Sequence, residues 1–227
     1  VLNDSDILVK TVASNPNNNE MGYQNLIRIG ASDNQLGTKM ATYAAQDLKI
    51  KTVAVIDDRT AYGQGVALEF TAQAKRVGEK VVAADFTTDK ATDFSSFLTN
   101  IRASKADAVF YGGYSPQGGP LLKQMRALGI SGPLLGGDGI CSSETANLSQ
   151  ISGDLNTFCT QGGSMLDRSD KGQKFAQRYR AEYKRDPLTY AAAFYDGMHM
   201  LAAAIESTQS TDTKKVVQAI ANGKYAG

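Results

Sequence analysis

"VFYGGYSPQGGPLL" runs from Val109 to Leu122. A β-branched and aromatic run ends on two glycines, shows one tyrosine, and meets a second glycine pair before a helical pattern. In that pattern Leu121, Leu122, Met125 and Leu128 fall on one stripe. A buried strand feeding a glycine turn and then a helix is half of a βαβ unit. Missing Cβ atoms at the glycines admit a close approach to the main chain beside Tyr114.

The same alternation extends to either side. "TVAVID" (Thr52 to Asp57), "KVVAADF" (Lys80 to Phe86) and "DAVFYG" (Asp107 to Gly112) read as short strands buried on both faces. Between them Val66, Phe70, Ala74 and Val77 form a helical stripe. Asp93 is positioned to cap a helix that turns Phe94, Phe97, Leu98 and Ile101 inward. "GPLLGGDG" (Gly132 to Gly139) adds a fourth strand and "NTFCTQGG" (Asn156 to Gly163) a fifth. Short links and right-handed crossovers then predict an α/β fold, a parallel sheet with helices on both faces.

The two ends differ from this middle. "ILVKTVASNPNNNE" is one strand followed by an Asn-rich loop with no helix before it. Beyond Gly163 the pattern is helical: Phe175, Tyr179 and Tyr183 recur every fourth residue, then Phe194, Met198, Leu201 and Ile205, then a last helix over Thr213 to Asn222. These stripes either cover the middle sheet or belong to a second, mostly absent one, and the second reading fits better because the middle supplies its own helices.

Composition limits the function. The chain has 227 residues, 42% apolar and 21% charged, with a formal net charge of +1. That balance offers nucleic acid no basic field. No apolar run reaches the ~20 residues of a membrane span, and Val1-Leu2-Asn3-Asp4 is not a signal peptide. Cys141 and Cys159 do not fit a zinc site, because there is no C-x-x-C and His199 is the only histidine. They read either as a disulfide or as two buried thiols in a reducing compartment, and both readings stand at this point.

In an open α/β sheet the ligand crevice lies beyond the carboxyl ends of the strands. Tyr62, Tyr114 and Asp138 each follow a strand there and are expected to line one rim. Each has a plainer reading: Tyr62 starts a helix, Tyr114 is a turn aromatic, and Asp138 caps "GICSSETANL". Enzyme signals are weak. "YGQG" is not a dinucleotide loop, there is no P-loop or G-x-S-x-G elbow, and "SSETANL" has hydroxyls without a base. His199 sits in a Met-rich helical stripe. Asp57 and Asp58 at a strand end form the acidic pair of a magnesium-dependent receiver-type enzyme, an alternative from another class.

Three stretches carry a resemblance: Arg28 to Gly65, ending "VIDDRTAYGQG"; Asp85 to Ile130, containing "VFYGGYSPQGG"; and "LLGGDG" at Leu134 to Gly139. In this order and at these separations the chain resembles periplasmic amino-acid-binding proteins of the leucine/isoleucine/valine type, the type I solute receptors of ABC importers. The resemblance implies two α/β lobes clamping an amino acid, no enzymatic activity and no cofactor. Asp138 then matches the acceptor of the ligand's α-ammonium, and Tyr62 and Tyr114 match cleft tyrosines. Ser14, with Val12 beside it, matches a hydroxyl near the α-carboxylate, and Tyr195 an aromatic near the ligand side chain. Glycines flanking Tyr114 are expected to let the ligand lie against the strand end.

The implied partners are the ligand and the importer's membrane subunits, not nucleic acid, and the implied compartment is the periplasm, where Cys141 and Cys159 would be bonded. A cytosolic regulator or a sensory ectodomain of the same fold are the alternatives. Residues 1–33 read as part of the first lobe with a strand, a loop and a first crossing, 34–161 as the second lobe, and 162–227 as helices returning to the first. Family members carry roughly one hundred further residues before Ile7, so the chain is expected to be a fragment. Its bare helical stripes are expected to meet that segment or a second copy.

Overall fold

A computed structural model describes residues 9–11, 14, 22–23, 25–163 and 165–225, with only the backbone of 9–11. The chain forms two compact units, Val1–Ala31 with Gly162–Gly227, and Ser32–Gln161. In the first, β1 (Val9–Thr11) pairs in parallel with β2 (Leu26–Arg28).

The Ser32–Gln161 unit begins at a capping box. Ser32 Oγ accepts the Gln35 N–H at 3.4 Å, and Gln35 Oε1 accepts the Ser32 N–H at 2.9 Å, which starts α1 (Asp33–Gln46). Then follow β3 (Thr52–Asp57), α2 (Ala61–Arg76), β4 (Lys80–Phe86), α3 (Ser95–Ser104), β5 (Ala108–Gly112) and α4 (Ser115–Ala127). The unit ends with β6 (Leu134–Gly136), a 3-10 turn at Asp138–Ile140, α5 (Ser143–Ser149) and β7 (Thr157–Cys159). The strands are all parallel, in the order β4-β3-β5-β6-β7.

The strand of the quoted stretch, β5, is central, and all five of its residues are buried. Its side chains alternate between two cores. Val109 and Tyr111 join Ala54, Ile56 and Leu134 under Phe97, Leu98 and Ile101 of α3 and Leu121, Leu122 and Met125 of α4. Phe110 points the other way and stacks on Phe70 of α2, ring centroids 4.0 Å apart.

Three expectations need correction. "KVVAADF" is not buried on both faces: it is the edge strand β4, with Val82 and Phe86 exposed. Its apolar composition is that of a central strand, but the chain reverses direction across the sheet after β4, so β5 adds beside β3 instead. Asp93 stands one residue before the α3 cap, which is Phe94, although its Oδ1 still accepts the Ser95 N–H at 2.9 Å. The helix in "GICSSETANL" is capped by Ser142, not Asp138, because the 3-10 turn intervenes.

Returning to the first unit, α6 (Asp170–Tyr183), α7 (Ala191–Thr208) and α8 (Thr213–Asn222) follow a short 3-10 turn at Leu166–Arg168. Ala204, Val216 and Ile220 form a small buried cluster with Ile27 of β2 against it. Among the described residues no helix is long and apolar enough to cross a membrane.

Candidate functional site

The strand order changes direction between β3 and β5, which puts the topological switch point of the sheet at their carboxyl ends. Tyr62 lies on the first turn of α2, after β3. Tyr114 is the N-cap of α4, after β5, and Asp138 opens the turn after β6. The plainer readings of Tyr62 and Tyr114 are therefore true of their backbones, while their side chains meet at the rim. Tyr62 OH donates to Asp138 Oδ1 at 2.8 Å and accepts the Gly139 N–H at 2.9 Å. The Tyr62 and Tyr114 rings lie 5.0 Å apart and tilted, and Tyr114 remains exposed.

Burial pushes the Asp138 carboxyl above the usual carboxylate range, against the opposing pull of the Tyr62 hydrogen bond. Burial also raises the Tyr62 phenol, with the Asp138 charge adding to it. Tyr114 is raised by burial first and then by Asp58, Asp138 and Asp33. The rim is thus an anionic, partly dehydrated aromatic corner, suited to a cation that brings its own apolar body.

At the glycines beside Tyr114 the space a Cβ would take is filled by the protein's own atoms. A Cβ on Gly112 would strike Gly63 O and Ala67 Cβ, and one on Gly113 would strike the ring of Tyr111. Gly118 and Gly119 are filled in the same way by Ile140 and by Leu148. The chain packs its own atoms through these gaps, α2 against the end of β5, and the Asp138–Ile140 turn and α5 against α4. Gly63 of "YGQG" has the same use, since its missing Cβ admits Asp58.

Asp57 and Asp58 are held within their own loop. Asp57 Oδ1 accepts the Arg59 N–H at 2.9 Å. Asp58 Oδ1 accepts the Thr60 N–H at 2.9 Å and hydroxyl at 2.6 Å, which organises the α2 cap. Asp58 Oδ2 is buried without a hydrogen-bond partner among the described residues, and burial raises its carboxyl. Among the described residues no group of three or more His, Cys, Asp or Glu is disposed to hold a metal ion.

The remaining candidates lie in the first unit. Ser14 is buried, and its carbonyl accepts Arg28 Nη1 at 3.2 Å. Val12 falls outside the described residues. Tyr195, on α7, packs against Phe175 at 5.3 Å and meets His199 edge-on at 4.5 Å. These side chains border a groove of about 730 Å³ between α6 and α7, lined also by Lys171, Lys174 and Arg178. Cys141 and Cys159 form a disulfide, with Cα atoms 5.6 Å apart. The hydroxyls of "SSETANL" stood out in the sequence, but the gathering of Ser142 and Thr145 with Ser115 in a cluster beneath the Asp138 turn did not. The cluster's only trace is serines and a threonine at the starts of two helices.

A parallel sheet clothed by helices, with its polar-aromatic corner at the switch point, defines a type I periplasmic-binding-protein fold. The chain belongs to the periplasmic binding protein family, whose pattern matches residues 1–227. It is 32% identical over 223 residues to an amino acid binding protein of Pseudomonas aeruginosa, covering 96% of this chain and 58% of that one. It is 30% identical over 230 residues to the Leu/Ile/Val-binding protein BraC3 of Rhizobium johnstonii, covering 99% and 61%. Among solved structures, the leucine binding protein LivK of Thermotoga maritima superposes with a TM-score of 0.86 at 26% identity, covering 96% of this chain and 62% of that one. LivJ of Streptococcus pneumoniae, in complex with isoleucine, gives 0.79 at 27% identity, covering 90% and 58%. The chain therefore spans about three fifths of the length of these relatives. Its family is one of solute-binding proteins.

Proposed function

We propose that this chain belongs to an extracytoplasmic receptor that captures an amino acid with an aliphatic side chain and delivers it to the membrane subunits of an ABC importer, without catalysis. The observation that carries the reading is the Asp138 carboxylate, largely dehydrated and held by Tyr62 beside the Tyr114 ring. A zwitterion leaving water needs an anion for its ammonium group, and an aliphatic side chain needs rigid apolar walls. The names of the relatives support the same ligand class. Ser14, with Val12 beside it, for the carboxylate and Tyr195 for the side chain belong to the same proposal. Ligand-driven closure of two lobes is its mechanism, driven by differential affinity for the closed state.

Calorimetry with L-leucine tests it. Asp138→Asn keeps the shape and removes the charge, and a charge-assisted contact is worth about 2–3 kcal/mol, so affinity falls at least about tenfold. Tyr114→Ala weakens binding through lost packing, and His199→Ala leaves it unchanged. Unchanged affinity in Asp138→Asn overturns the ammonium assignment.

A further inference from the structure

We propose that the Cys141–Cys159 disulfide and the Ser115–Ser142–Thr145 hydroxyl cluster are positioning residues that aim Asp138, an inference resting on the ammonium reading of Asp138 above. The turn at Asp138–Ile140 holds itself weakly. Its own bonds are Cys141 N–H to Asp138 O at 3.0 Å and Ile140 N–H to Gly137 O at 3.4 Å, and a single 3-10 turn has poor hydrogen-bond geometry. Its placement comes from four surrounding elements.

From β7, Cys159 pairs in register with Gly136 at the end of β6, and the Thr160 N–H donates to Gly136 O at 3.1 Å. The disulfide returns from that anchored strand to Cys141, fixing the residue that directly follows the turn. From the start of α4, the Ser115 hydroxyl donates to Gly139 O at 3.0 Å and shares a 2.8 Å hydrogen bond with Ser142. Thr145 Oγ1, on α5, lies 2.8 Å from Ser115 Oγ and 2.9 Å from Ile140 O. Ser115 and Thr145 are both buried, so these bonds act where water does not compete. From α2, the Tyr62 hydroxyl binds Asp138 and Gly139 together. Gly139, Ile140 and Cys141 are each tied to a different element, and Asp138 is the residue they leave directed at the rim. A charge-assisted hydrogen bond needs a heavy-atom distance near 2.8 Å, so small rotations of this turn translate into lost affinity.

The test removes the clamp in the chain as its gene encodes it, with Cys141→Ala/Cys159→Ala. Amide exchange at Gly139 and Cys141 is expected to rise about tenfold or more while β3 and β5 keep their protection. Affinity for L-leucine is expected to fall about fivefold in the native background and less than about twofold when Asp138→Asn is also present. Unaltered exchange at Gly139, or equal losses of affinity in both backgrounds, overturns the proposal. If Asp138→Asn alone leaves leucine binding intact, the ammonium reading fails, and Gly139 exchange still decides whether the turn is clamped. Should the double alanine variant not fold, Ser115→Ala carries the same readouts, since it removes the donor to Gly139 O and leaves the disulfide in place.

Discussion

In the Ser32–Gln161 unit, α3 and α4 press Phe97, Leu98, Leu121 and Met125 onto Ile56, Val109 and Leu134, and all seven are buried. In the other unit the buried cluster consists of Ala204, Val216 and Ile220, over a two-stranded sheet. Its helices meanwhile expose Tyr183 at 59%, Met198 at 57%, and Phe194 and Tyr195 at 41% each. Both units draw on the same vocabulary of amphipathic helices. Among the described residues one has five strands to cover its helices and the other two, so an apolar stripe specifies a helix without supplying its counterpart.

The sharpest way to break this comparison is to separate the units. Residues 32–161 expressed alone are expected to unfold in one cooperative transition. Val1–Ala31 joined to Gly162–Gly227 by a flexible linker is expected to show none, or to associate through its exposed aromatic face. Matching behaviour of the two pieces in circular dichroism and size-exclusion chromatography would erase the distinction.

Next in size is a pair of single substitutions. Phe70→Ala removes a fully buried ring stacked on Phe110, with an expected cost of about 3–5 kcal/mol by urea denaturation. Tyr183→Ala removes an exposed ring and is expected to cost less than about 1 kcal/mol. Comparable losses would show that the α6 aromatics are as structural as the sheet core.

The smallest effect sharpens the account of the larger unit. Glu79 is buried, both its carboxylate oxygens lack a hydrogen-bond partner among the described residues, and burial lifts its carboxyl to about 7. Between the ordinary glutamate range, near pH ~4.3, and that value, the folded chain keeps a proton that the unfolded chain has released. Stability therefore falls as pH rises through this window. Glu79→Gln is expected to remove that slope, so the wild type loses up to about 3 kcal/mol relative to the variant between pH ~4 and ~8. Parallel pH profiles for the two proteins would refute it.

The βαβ pattern was legible because strand and helix periods differ and the glycine turns mark each change. Strand order was not. Nothing within "KVVAADF" states that β3 has another neighbour on its far side, and so its edge position went unread. At the site, Tyr62, Tyr114 and Asp138 were visible because they all follow strands. The glycines misled because a missing Cβ records that something approaches, not what, and here it is the protein's own atoms. Glu79 and Ser115 look like ordinary surface residues in sequence, since burial of a polar side chain depends on partners far along the chain.

The edge strand β4 has a further consequence, for how copies of this chain treat one another. Lys80 to Phe86 is an apolar, β-prone window whose unpaired backbone groups face outward, the usual seed of fibrillar stacking. Its pairing with β3 shifts register between Val53 and Ala54, so that Val82 has no opposite number and forms a bulge. The bulge splits the edge into two short lengths that do not present a continuous template. Lys80 and Asp85 put charges of opposite sign near its ends. A single irregular residue thus shields the open side of the sheet against runaway self-association.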